Sequence, residues 1–146
     1  MRVAIIGAGL IGHKRAKSLD EKDSLCLVVD IKKKLANNLA SQYSCKFTDN
    51  INDLIKDVNI EAVIIAVINK YAAQLAIDML LSGKHVLCEK PLGINSEQSQ
   101  KIILAAKKSK KVIMTGFNHR FHGAMVKAKK LIEEKAIGKI LHIRSH

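Results

Sequence analysis

The sequence predicts an α/β fold, a doubly wound parallel sheet with helices on both faces. Three observations carry this expectation. Short β-branched apolar runs alternate with longer amphipathic stretches along the chain. Hydrophobic residues make up 48% of the sequence but aromatics only 3%, so the core must be built from Ile, Leu, Val and Ala. The run 62–67 is apolar at every position, as a strand buried on both faces requires.

Taken in order, residues 3–6 read as a buried strand and 11–21 as a helix, with Ile11, Ala16 and Leu19 near one face. Residues 25–29 form a second strand. A helix over 32–42 turns Leu35, Ala36 and Leu39 inward, and a weak third strand lies near 45–47. A short helix over 51–55 precedes the strand 62–67. The helix 71–81 is stopped by Ser82 and Gly83. A strand at 85–88 leads to a helix over 96–108, which Asn95 or Ser96 caps. Strand 112–115, an amphipathic helix over 123–135 ended by Gly138, and the start of a strand at 140–143 complete the reading. Nothing repeats at a fixed period, and no linker rich in Pro, Gly or Ser divides the chain. The expected domains are a nucleotide-binding unit over 1–120, then a connecting helix and the start of a further α+β domain over 121–146.

The formal net charge of +12 suggests nucleic acid at first sight. Only Arg2, Arg15, Arg120 and Arg144 are arginines, however, and arginine is the preferred base-reading and phosphate-fork residue. The lysines are mostly scattered, without aromatic stacking platforms between them. The expectation is a lysine-rich surface and no nucleic-acid partner. Cys26, Cys45 and Cys88 have no metal or disulfide spacing and read as small thiols in a reducing compartment. No apolar run is long enough to span a bilayer, and the glycine-broken N-terminus does not read as a signal peptide. No membrane partner and a cytoplasmic location follow as expectations.

The motif "GAGLIG", Gly7 to Gly12, fits G-x-G-x-x-G in the context its chemistry requires, after a strand and opening a helix. Gly7 permits the tight turn, Gly9 lets backbone approach a pyrophosphate, and Gly12 lets helix and strand pack closely. The amides of Leu10 and Ile11 then point at phosphate from the helix N-terminus. Asp30 ends the second strand 18 residues after Gly12, close to the interval expected of a carboxylate that accepts hydrogen bonds from ribose hydroxyls. Its charge repels a 2′-phosphate and favours NAD over NADP. The adjacent Lys32, Lys33 and Lys34 keep NADP open. Capping of the next helix is the alternative role for Asp30.

Pro91, the only proline, sits in "HVLCEKPLG" after the fifth strand. The C-terminal end of that strand falls on the ligand side of an open α/β sheet. Glu89 and Lys90 therefore project at the mouth of the nicotinamide half. Pro91 fixes the backbone and accommodates a cis bond, holding Lys90 where it can orient substrate or relay a proton.

"GAGLIG", Asp30, "AVIN" (66–69), "GKHVLCEKPL" (83–92) and "GFNHRF" (116–121) occur in this order. Together they resemble the N-terminal half of the Gfo/Idh/MocA family, the glucose–fructose oxidoreductase and inositol dehydrogenase group. The resemblance covers essentially the whole chain. It implies a Rossmann fold and NAD(P)-dependent hydride transfer at a carbinol carbon of a sugar, cyclitol or nucleotide sugar. The segment from Gly116 onward is similar to members that act on sugar nucleotides. By the same resemblance Lys90 is the catalytic residue, near nicotinamide and substrate. Ala66, Asn69, Glu89 and Pro91 belong to the cofactor site, with Glu89 near the nicotinamide ribose, and Asn118 and Arg120 match an N-x-R motif lining it.

The chain departs from the family pattern in four places. Val67 and Ile68 replace a Thr-Pro pair. Ala72 and Arg15 stand where members carry histidines, while His13 is out of register and reads as a surface residue. His119 and His122 lack further ligands, so no metal is expected. The family's Asp-x-x-x-His pair, which supplies the acid–base histidine, is missing. The resemblance thus implies a fragment of a longer, potentially homo-oligomeric oxidoreductase. A non-catalytic nucleotide-binding module, or one subunit of a split dehydrogenase, is the alternative.

Overall fold

A computed structural model describes residues 1–144. It divides into two compact units, residues 1–116 and a second that begins at Phe117. The first unit holds strands β1 (Arg2–Ile6), β2 (Ser24–Val29), β3 (Lys46–Thr48), β4 (Ala62–Ile65), β5 (His85–Cys88) and β6 (Ile113–Thr115). Between them run helices α1 (Leu10–Lys17), α2 (Lys33–Gln42), α3 (Ile51–Lys56), α4 (Asn69–Leu81) and α5 (Ser96–Ser109). All strand pairs are parallel, in the order β3-β2-β1-β4-β5-β6. The chain direction across the sheet reverses between β1 and β4, which places the switch point of a Rossmann fold there.

Alternation along the strands builds the two faces. Ala4 and Ile6 of β1, with Val63 and Ile65 of β4, pack against Leu54 of α3, Ala76 and Met79 of α4, and Ile102 of α5. Val3 and Ile5 of β1, with Ile64 of β4, pack against Ala16 of α1 and Ala36 and Leu39 of α2. In β2 the pairing with β1 skips Cys26, since Val3 aligns with Leu25 and Ala4 with Leu27. This bulge returns Val28 and Val29 to their proper faces.

Helix ends follow local chemistry. The Asn95 side chain accepts from the Gln98 amide and caps α5. Lys84, only 2% exposed, donates from Nζ to the Ile55 carbonyl oxygen at 3.2 Å and so satisfies a carbonyl in the last turn of α3.

Four expectations are corrected. Helix α1 ends at Lys17 rather than residue 21, where the Ser18 hydroxyl donates to the Arg15 carbonyl and competes with helix continuation. Its inward face is Gly12 and Ala16, while Ile11 is 41% exposed, because small residues let the helix lie close to the strands. Leu35 is exposed, and Ala36, Leu39 and Ala40 form the buried stripe of α2. Residues 140–143 form no strand, because an extended segment becomes one only by pairing and no strand pairs with them among the described residues. The second unit holds instead a 3-10 turn, Asn118–Phe121, and helix α6 (Gly123–Glu133). Among the described residues no helix is long and apolar enough to cross a membrane.

The three cysteines are free thiols. Burial at the end of β5, reinforced by the neighbouring Glu89, pushes the Cys88 thiol up to about 11. An unfolded thiol titrates near 8.5, so the stability held by protonated Cys88 is intact below that pH and lost as pH rises through about 11. Burial lowers the Lys84 ammonium, which works in the opposite direction at alkaline pH, so a difference measurement isolates the thiol. The stability of the wild type relative to Cys88→Ala is expected to fall by about 2–3 kcal/mol between pH 8.5 and 11, read by urea titration at stepped pH.

Candidate nucleotide-binding site

A groove of about 890 Å³ lies across the C-terminal ends of β1, β2 and β4, within the range of ligand sites. Its wall includes Gly7, Gly9, Asp30, Lys32, Ala66 and Tyr71. Backbone ties fix its floor: the Gly7 amide donates to the Val29 carbonyl and the Ala66 amide to the Ile6 carbonyl, both at 2.8 Å.

The three glycines of the loop have different reasons to be glycine. Gly7 has φ +98°, and a Cβ there would overlap the Ala66 carbonyl oxygen. A Cβ on Gly12 would overlap the Gly7 carbonyl oxygen, so the absence of a side chain sets how closely α1 approaches β1. Gly9 has no such reason. Its φ of −80° suits any residue, and a Cβ there would meet nothing within 4 Å. Its freedom is the freedom of the groove, where a side chain would occupy ligand space.

Gly9 is also the N-cap of α1, and no side chain caps that end. The first turn carries no acidic residue. The amides of Leu10 and Ile11 and the positive end of the helix dipole are thus left for an anion. Leu10 and Ile11 are both exposed.

Asp30 does two things at once. Its Oδ2 accepts from the Ala8 amide and its Oδ1 from the Lys32 amide, each at 2.8 Å. It therefore closes a tight turn ahead of α2, whose N-terminus no side chain caps, and pins the glycine loop. Each carboxylate oxygen has a further lone pair for a ligand hydroxyl.

The second half of the sheet places the remaining predicted residues. Glu89 follows β5, and its amide donates to the Ile65 carbonyl at 3.0 Å. Its carboxylate is paired with Arg15, Nε to Oε1 at 2.5 Å. Lys90 is exposed and precedes Pro91 through a cis peptide bond. Among the described residues no carboxylate lies within ion-pair distance of Lys90. Asn69 opens α4 between the groove residues Ile68 and Lys70 but is not part of the wall. Asn118 and Arg120 lie on the 3-10 turn of the second unit, where the Arg120 guanidinium sits 5.5 Å from the Phe121 ring centroid. His13 lies partly exposed on α1. Arg15 was noted in the sequence only as a departure, standing where family members carry a histidine, and was assigned no role. The available signal was its spacing: three residues after Gly12, it returns to the same face of α1 one turn on.

Residues 1–117 match the family Gfo/Idh/MocA, described as an oxidoreductase family with an NAD-binding Rossmann fold. A myo-inositol 2-dehydrogenase of Thermotoga maritima is 32% identical over 150 residues, covering 99% of this chain and 45% of that protein. A levoglucosan dehydrogenase of Pseudarthrobacter phenanthrenivorans is 33% identical over 155 residues, covering 99% of this chain and 40% of that protein. Among solved structures, a probable dehydrogenase from Thermotoga maritima superposes with a TM-score of 0.90 at 31% identity, over 95% of this chain and 42% of that one. GenD2 from gentamicin A biosynthesis, solved in complex with NAD, superposes at 0.89 with 25% identity, over 93% of this chain and 40% of that one. The chain spans less than half the length of these relatives.

The glycine geometry gives a direct test. Gly12→Ala is expected to destabilise the fold by at least about 2 kcal/mol, because its methyl meets backbone that cannot yield. Gly9→Ala is expected to cost no more than about 1 kcal/mol, the penalty of alanine at an N-cap, clearly less than Gly12→Ala. Thermal and urea melts of the two variants check both.

Proposed function

The chain belongs to the Gfo/Idh/MocA oxidoreductase family, and from that premise we propose that it is the nucleotide-binding part of an NAD-dependent dehydrogenase. The substrate class is a polyhydroxylated ring, a cyclitol, sugar or nucleotide sugar, oxidised or reduced at a carbinol carbon. The relatives named as inositol and levoglucosan dehydrogenases support that class. The observation that carries the reading is Gly9: a glycine with no conformational or packing need, at the uncapped end of α1, on the wall of a large groove.

The residues present fit a dinucleotide. The Leu10 and Ile11 amides bind its phosphates, and Gly9 admits them. The Asp30 carboxylate, already oriented by two backbone amides, accepts from the ribose hydroxyls and opposes a 2′-phosphate. When bound, the nicotinamide supplies or accepts the hydride. Lys90 is free of ion pairs among the described residues and is held by Pro91 at the C-terminal end of β5. There its ammonium donates to the hydroxyl or carbonyl oxygen of the substrate and orients the carbon that reacts. Ala66, at the end of β4, keeps the groove floor free of bulk, and Asn69 lies beside its wall. Three free thiols fit a cytoplasmic, reducing setting.

Saturable binding of NADH, followed by its fluorescence, is expected for the wild type. Gly9→Val is expected to weaken it at least about tenfold with a cooperative melt retained. Absence of binding up to millimolar NADH, or binding indifferent to Gly9→Val, would overturn the reading. Asp30→Ser is expected to narrow the preference for NAD over NADP by roughly tenfold, the effect of removing one like charge from a partly shielded site. Competition of the two cofactors for bound NADH measures it.

A further inference from the structure

Arg15 and Glu89 lie 74 residues apart in sequence yet form, among the described residues, the ion pair with the least exposed side chains, 21% and 16%. The pair is closed in by backbone. A Cβ on Gly116 would lie 2.8 Å from Glu89 Oε2 and 3.0 Å from Arg15 Nη2, so the bare backbone of Gly116 lies directly against the pair and a side chain there would push the two charged ends aside. The Gly116 amide donates to the Cys88 carbonyl at 2.8 Å, which fixes that roof to the end of β5. The carboxylate is thereby held in one place at the C-terminal ends of β5 and β6. In a sheet of this order the second half of a dinucleotide lies over those strands. A nicotinamide ring is positively charged when oxidised and neutral when reduced. An isolated, partly buried carboxylate beside it would favour the oxidised form.

We propose that Arg15 is a charge-balancing and positioning residue: it fixes Glu89 beneath the nicotinamide half and cancels its charge, so that the site does not strongly favour oxidised over reduced cofactor. This rests on the nucleotide-binding reading above. The placement follows from the fold. Helix α1 carries the phosphate-binding amides at its N-terminus and Arg15 in its last turn, so one rigid element spans both halves of the site.

The test is calorimetric affinity of the chain for three probes, NAD+, NADH and ADP-ribose, the last lacking the ring. In Arg15→Met the preference is expected to move toward NAD+ by roughly tenfold, with ADP-ribose little changed. Arg15→Lys and the double variant Arg15→Met/Glu89→Gln are expected to restore the wild-type preference. Glu89→Gln alone is the mirror test and does not depend on Arg15→Met folding: the unpaired guanidinium is expected to move the preference toward NADH. A preference unchanged in both single variants overturns the proposal, as does a loss shared equally by all three probes. Failure of the wild type to bind any probe overturns the nucleotide-binding reading instead.

Discussion

The candidate site depends on how closely α1 can lie against β1. That approach is limited by one backbone contact, Gly12 against the Gly7 carbonyl, where any side chain would force the helix away. The consequences run outward from it. The α1 N-terminus is brought to the sheet at the switch point, where the connections that follow β1 and β4 run to opposite faces and leave room for a ligand. The same helix then carries Arg15 to within reach of Glu89, two strands away across β4. A shift of the helix by the width of a methyl group would move its phosphate-binding amides and its guanidinium together.

Two carboxylates are treated in contrasting ways in the two halves of the site. Asp30 is satisfied by neutral donors, the amides of Ala8 and Lys32, and so keeps its full charge. That suits a role in accepting hydroxyl protons and repelling phosphate. Glu89 is satisfied by a cation, and its charge is cancelled. One half thus presents a fixed negative point and the other an electroneutral face beside an exposed lysine. Hydrogen bonding alone would orient either carboxylate equally well. The choice of partner, amide or guanidinium, decides what field the ligand meets.

Much of this was legible in the sequence. The parallel sheet was visible because a strand buried on both faces must be apolar throughout, and 62–67 is. Gly7, Gly9, Gly12 and Asp30 were legible because a dinucleotide constrains short-range spacing. What failed was of two kinds. Periodicity put Ile11 and Leu35 in the core, but the helices turn their smallest residues, Gly12, Ala16 and Ala36, to the sheet, because close packing rewards small volume over hydrophobicity there. The strand expected at 140–143 failed because β-propensity describes a surface suited to pairing and says nothing of a partner. Arg15 was legible as a departure from a family histidine, but its pairing with Glu89 was not, because the partner lies 74 residues away and only the sheet order brings the two together.

The position of Lys90 follows from the same order. Strand β5 is held between β4 and β6, and the amides of Glu89 and Gly116 extend that pairing one residue beyond the strands, to Ile65 and Cys88. The ladder thus ends where the chemistry begins. Pro91 has no amide to continue it, so the chain must leave the sheet immediately after Lys90. Glu89 turns to Arg15 and is half-buried, while Lys90 is exposed. Lys90 sits at a bend, where the backbone leaves the direction of the strand before Pro91. The sequence Glu-Lys-Pro thus places an anchored carboxylate and an exposed ammonium next to each other at the C-terminal end of the sheet. The same backbone that fixes one residue presents the other.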